Sequence, residues 1–127
     1  MNIFGDSGKS EDLIDDEFIL FDLRVIIEKV PEKNPDNHKV GDYFEVKGGY
    51  IIIPDNKPFS LYALAALLPL LPTKQRPTHK NDWMTTDDRV VCPDPNCGAI
   101  FKIERTGIRK FKHSEVTFTS IKKGESK

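Results

Sequence analysis

Cys92-Pro93-Asp94-Pro95-Asn96-Cys97, closed by Gly98, is the segment of this chain best suited to chemistry. Prolines and Gly turn the chain between two cysteines, and such a turn can aim both thiolates at one metal. No cofactor is expected; the metal that Cys92 and Cys97 could hold is zinc, which takes four ligands in a tetrahedron. Two more would have to come from His38, His79, His113, carboxylates or a second chain, and none of these stands at a ligand spacing. A thiol reading of the same turn makes Cys92 a nucleophilic thiolate, with Asp94 or His79 as acid or base. The spacing is not Cys-x-x-Cys, so thioredoxin-like exchange is not indicated. A disulfide across the turn depends on the separation of the two Cα atoms. The plain structural reading is that Cys92 is a small buried hydrophobe and that the prolines shape a turn.

A second cluster lies in residues 72–88. Lys74, Arg76, His79 and Lys80 precede Trp83. Cations beside an aromatic ring suit an anionic or planar ligand, so Lys74, Arg76, His79 and Trp83 form the candidate binding set. A solvated loop pinned by Trp83 on the core is the competing reading. With Arg105, Arg109, Lys110, Lys112 and His113, these cations would make a basic face for phosphate or nucleic acid. Phe101, Phe111 and Phe118 would then stack bases. No nucleotide or RNA-binding signature accompanies them, so nucleic acid is the weakest of the partner readings. Asp42, after Gly41, and the pair Asp87-Asp88 read as turn chemistry. No phosphate-binding loop, dinucleotide fingerprint, zinc-protease motif or serine-hydrolase elbow occurs.

The elements that must position these residues follow from pattern. Residues 21–28 alternate, with Phe21, Leu23, Val25 and Ile27 on one side, which predicts a half-buried strand over 18–30. Residues 43–47 and 50–53 flank Gly48-Gly49, which predicts a hairpin. Residues 59–71 are nearly all apolar. Ser60 is placed to cap a helix there, with Leu61, Leu64, Ala65 and Leu68 as its stripe and Pro69 as its end. Residues 72–88 read as a long irregular loop. Strands are expected at 89–92 and 97–105, a break at Thr106-Gly107, and a last strand at 115–121. The expected fold is α+β: an antiparallel sheet of five or six strands with one main apolar helix on a face.

The chain has 127 residues, 31% of them charged, and a net charge of −1. That length supports one domain with one core. Residues 1–17 hold six carboxylates against Lys9, a net −5, which leaves +4 on the remainder. They read as an acidic disordered tail, residues 18–121 as the domain and 122–127 as a frayed end. There is no basic, then apolar, leader, so the expected compartment is the cytoplasm, with reduced thiols. No apolar run reaches the ~20 residues of a membrane span.

In order along the chain stand Gly41-Asp42-x-Phe44, then Ser60 and Tyr62 in the apolar helix. Trp83, Cys92-Pro93-Asp94 and Phe101-x-Ile103 follow. This order resembles a family of short, largely uncharacterised prokaryotic proteins, over residues 18–105. The chain departs from that pattern at Ser60, where the family often has Cys. The resemblance implies a fold and a site at the Cys-Pro-Asp turn, and carries no activity with it. The reading favoured by the residues is a small binding or accessory domain with a shallow pocket for an anionic ligand or partner. Its rivals are a small enzyme with thiol or metal chemistry at Cys92 and Cys97, and a nucleic-acid module. Exposed strand edges would also allow a homodimer.

Overall fold

The computed structural model describes residues 6–7, 15–33 and 38–121. Its spine is a pair of 13-residue antiparallel strands, β2 (Glu17–Lys29) and β6 (Ile100–Lys112). On one side of β2 lies β3 (Tyr43–Lys47), then β4 (Tyr50–Ile52). The far edge of β6 is shared by two short strands. β5 (Arg89–Val91) pairs with its start and β1 (Asp6–Ser7) with its end. The result is a six-stranded antiparallel sheet in an α+β fold.

The period-two pattern of β2 sends Leu23, Val25 and Ile27 to the core. There they meet Phe44 and Val46 from β3, and Phe101 and Ile103 from β6. Arg24 and Glu28 fall on the opposite face, where Arg24 lies over the Tyr43 ring. The Gly48-Gly49 hairpin forms as its sequence predicts, and the left-handed φ is at Gly48.

Thr106-Gly107 does not break the last strand. Asp22 pairs with Gly107 and Leu23 with Arg105, so Thr106 is the extra residue of a bulge and β6 runs on. A Cβ at Gly107 would stand 3.4 Å from the Asp22 carboxylate, so the small residue suits the bulge. The strand expected at 115–121 is likewise absent. A single helical turn, α4 (His113–Val116), follows β6 directly. Asp16 holds it: Ser114 donates both its N–H and its hydroxyl to the Asp16 carboxylate, and the His113 N–H donates to the Asp16 carbonyl. Both edges of β6 are already occupied, by β2 on one side and by β5 and β1 on the other, and Phe118 is fully exposed.

The helical layer is in pieces. α1 (Leu61–Leu67) starts at Ser60, whose hydroxyl accepts from the Ala63 N–H. α2 (Leu71–Lys74) follows after a turn. The buried positions are Ala63, Leu67 and Leu71, with Leu64 packed at their edge. The stripe expected at 61, 64, 65 and 68 is therefore rotated, and Leu61 is 74% exposed. The reason is continuity: the face that extends through Pro69 into α2 is the one carrying 63, 67, 70 and 71.

Residues 72–88 are not one irregular loop either. They contain most of α2 and a further turn of helix, α3 (Trp83–Thr86). Of the residues 1–17 expected as a disordered tail, Asp6 and Ser7 form β1 and Glu17 opens β2. Residues 1–5 and 8–14, and the C-terminal residues 122–127, lie outside the described residues.

Candidate functional site

The turn at 92–97 is built as a structural corner. Asp94 accepts the Asn96 N–H on its side chain and the Cys97 N–H on its carbonyl. This is the local turn that a short carboxylate favours. The Cys92 N–H reaches the Ala99 carbonyl at 2.9 Å. Gly98 has φ +70, and a Cβ there would meet the Pro31 ring at 2.9 Å. Both thiols are buried within the main core cluster. The histidine brought to them is His38, whose Nδ1 lies 3.5 Å from Cys97 Sγ. Its ring packs on Phe59 and edge-on to Phe101, and its buried Nε2 has no hydrogen-bond partner among the described residues.

His79 and His113 are held elsewhere. His79 Nδ1 accepts from the Asn81 N–H, and His113 Nε2 contacts the Thr119 carbonyl. Among the described residues no three groups of metal-ligating type gather at one point. Cys92 and Asp94, paired above as nucleophile and acid or base, hold core and turn positions respectively.

Residues 74–90 form the other feature. The chain leaves α2 with its last carbonyls unmatched by helical N–H groups, as every helix end does. Basic side chains supply donors. Arg105 gives Nε to the Lys74 carbonyl at 2.9 Å and Nη2 to the Arg76 carbonyl at 3.0 Å. Its guanidinium also lies over the Phe21 ring, 4.4 Å from the centroid. Arg76 gives Nη1 to the Pro72 carbonyl. Lys74, only 4% exposed, gives Nζ to the Met84 carbonyl at 2.5 Å and so ties α2 to α3. Gln75 completes the anchorage. Its side-chain amide donates to the Gly48 carbonyl, and its own carbonyl accepts the Phe21 N–H.

Burial lowers the pKa of Lys74 first, and the nearby Arg105 charge adds to this; Asp88, Asp87 and Asp82 oppose it. Burial also lowers that of Arg105.

Above this anchorage is a groove of about 280 Å³. Leu70, Val90, Met84 and Ile103 give it apolar walls, Lys74 enters from one side, and Asp87, Asp88 and Arg89 supply charge. Arg89 is already committed. It makes a two-pronged pair with Glu28, at 2.7 and 2.9 Å, and reaches Asp88 at 3.0 Å. The hydrogen bond from Arg89 lowers the Glu28 pKa, and Glu28 raises that of Arg89. Trp83 stands on the groove with 75% of its surface exposed. Its helix is fixed without it: the Asp82 carboxylate caps the Met84 N–H, and Thr85 bonds the His79 carbonyl.

Of the expected binding set, Lys74 and Trp83 line this groove, whereas Arg76 and His79 do not. The wider basic face does not assemble as one surface. Arg105 lies under the loop and Arg109 pairs with Asp22 at 2.8 Å. Phe101 and Phe111 are core residues. Sequence reasoning missed Met84, Val90 and Arg89 as groove residues; their order, apolar and charged around two Asp residues, carried no spacing signal. No helix among the described residues is long and apolar enough to cross a membrane. Comparison with family models, curated proteins and solved structures gives no match.

Proposed function

We propose that the protein is a small cytoplasmic binding domain, and that its binding surface is the Trp83 groove. The partner is a protein segment that lays an aromatic or aliphatic side chain against Trp83 and Val90, beside a basic residue that meets Asp87. The exposure of Trp83 carries this reading. An indole held in water by a capped helix turn is surface that gains on being covered. A Trp side chain presents roughly 150–250 Å², and at about 25 cal/mol per Å² its burial is worth a few kcal/mol. Buried Trp residues are also typical centres of binding energy.

Charge favours a basic segment over a bare anion. Three of the cations near the groove already donate within the chain: Lys74 to a carbonyl, Arg105 to two, and Arg89 to Glu28. Asp87 is exposed, and its carboxylate accepts from the neighbouring Thr86 hydroxyl.

Selection from a displayed random-peptide library tests the proposal. Peptides with an aromatic or aliphatic anchor next to Lys or Arg should emerge, and Trp83→Ala should weaken them at least tenfold, or ~1.4 kcal/mol. Peptides that bind Trp83→Ala as well as they bind the original chain would overturn it, as would selection of acidic peptides.

A further inference from the structure

Lys74 is more than a wall of the groove. A lysine is almost never fully buried unless its charge is paired. Among the described residues Lys74 forms no ion pair, and its ammonium has one acceptor, the Met84 carbonyl. The Arg105 guanidinium, itself bonded to the Lys74 carbonyl, adds like charge nearby. Burial and this cationic neighbour lower the Lys74 pKa. Arg105 from β6, and Asp82, Asp87 and Asp88 around α3, are the charged groups that act on it. The three carboxylates pull the other way, and two of them are engaged, Asp82 with the Met84 N–H and Asp88 with Arg89. Lys74 lines the groove beside Leu70, Met84 and Val90.

We propose that Lys74 is a carbonyl-reactive amine, and that the groove takes an apolar aldehyde or ketone and holds it as an imine. This rests on the reading of the groove as a binding surface, and gives that surface a small carbonyl compound as an occupant besides the protein segment. The Lys74 lone pair adds to the carbonyl carbon, and the carbonyl π pair moves to oxygen, which takes up a proton. The nitrogen of the carbinolamine gives its proton to a carboxylate or to water. The nitrogen lone pair then forms the C=N bond as the C–O bond breaks; the departing hydroxyl takes a second proton and leaves as water, and nitrogen gives up its remaining proton to solvent. Amine plus carbonyl becomes imine plus water, with no oxidant or reductant involved. Exposed lysines, protonated near neutral pH, lack the lone pair for this step.

The test is reductive trapping on the full chain with benzaldehyde and cyanoborohydride near pH 7, with the modified lysines mapped by mass spectrometry. Benzyl alcohol, read by Trp83 emission, reports the groove separately. The expected result is modification of Lys74 at least tenfold faster than of Lys57 or Lys80, and its loss in Lys74→Arg. The Lys74 rate should level off at a lower pH than the rates at Lys57 and Lys80. Modification of those surface lysines with Lys74 untouched would overturn the proposal. If benzyl alcohol still perturbs Trp83 in that case, the groove stands and only the amine chemistry falls. Should Lys74→Arg fail to fold, the map on the unaltered chain decides alone.

Discussion

The turn at 92–97 and the groove over residues 74–90 hold the residues that chemistry would choose, yet they expose opposite things. At the turn, the reactive atoms face inward: Cys92 is packed with Phe101 and Leu67 in one core cluster, and Asp94 bends the chain. At the groove, an indole and a carboxylate face water while Lys74 is buried and donates to a backbone carbonyl. The lesson is that the kind of side chain says little about its use. A thiol packs like a methyl-sized hydrophobe. A lysine or arginine beside a helix end can be occupied by carbonyls that the chain leaves without partners. What each region offers a ligand is what remains after these internal demands are met.

That contrast can be broken from either side. The largest effect is expected at Cys92→Asp, which puts a carboxylate into the core. A loss on the order of 3 kcal/mol or more should follow, enough to unfold a domain of ordinary stability. Circular dichroism melting checks this, and a cooperative, equally stable mutant would show that Cys92 is not enclosed. Next comes Arg105→Met, which keeps an apolar stem but leaves the Lys74 and Arg76 carbonyls without that donor. About 2 kcal/mol should be lost, and hydrogen exchange should quicken at the amides of Lys74, Gln75, Arg76 and Thr78 before it does in β2.

Acid should loosen the β5 end of the groove more gently. The Glu28 pKa is lowered in the fold, so its contribution is complete above its ordinary value of 4.5 and fades as pH falls through the lowered one. Glu28→Gln should flatten that part of a stability–pH curve, and an unchanged curve would mean the exposed pair with Arg89 contributes nothing. The smallest effect on stability belongs to Trp83→Ala. It should shift the unfolding free energy by less than ~0.5 kcal/mol, and a larger loss would make Trp83 an anchor of the fold instead of a surface for a partner.

Much of the sheet was legible in the residues. Alternation in β2 and the Gly-Gly hairpin are local signals, and both held. The misreadings share a cause, which is that the deciding partner is distant in sequence. Gly107 looks like a breaker until Asp22 is set opposite it across the bulge. The Thr-rich end looks like a strand until Asp16 catches Ser114, 98 positions away. The predicted α1 stripe stands one position off because the apolar face does not end at Pro69 but continues into α2. Trp83 and Lys74 were legible as candidates, but the fate of each cation was not. Nothing local tells that Arg105 will donate to the backbone at 74 and 76. In the same way, the histidine nearest the cysteines is His38, 59 positions from Cys97, and not His79.

Gln75 joins three parts of the molecule, because its carbonyl extends the ladder of β2 at Phe21 and its amide grips the hairpin tip at Gly48. With Lys74 bonded to Met84, hydrogen bonds tie the floor of the groove to the sheet. A partner therefore meets a surface already shaped, and the ordering entropy of association falls on the partner's side. Capture at such a surface is set by encounter and orientation, with no opening step in series. Differences in affinity among partners should then appear in how long they stay.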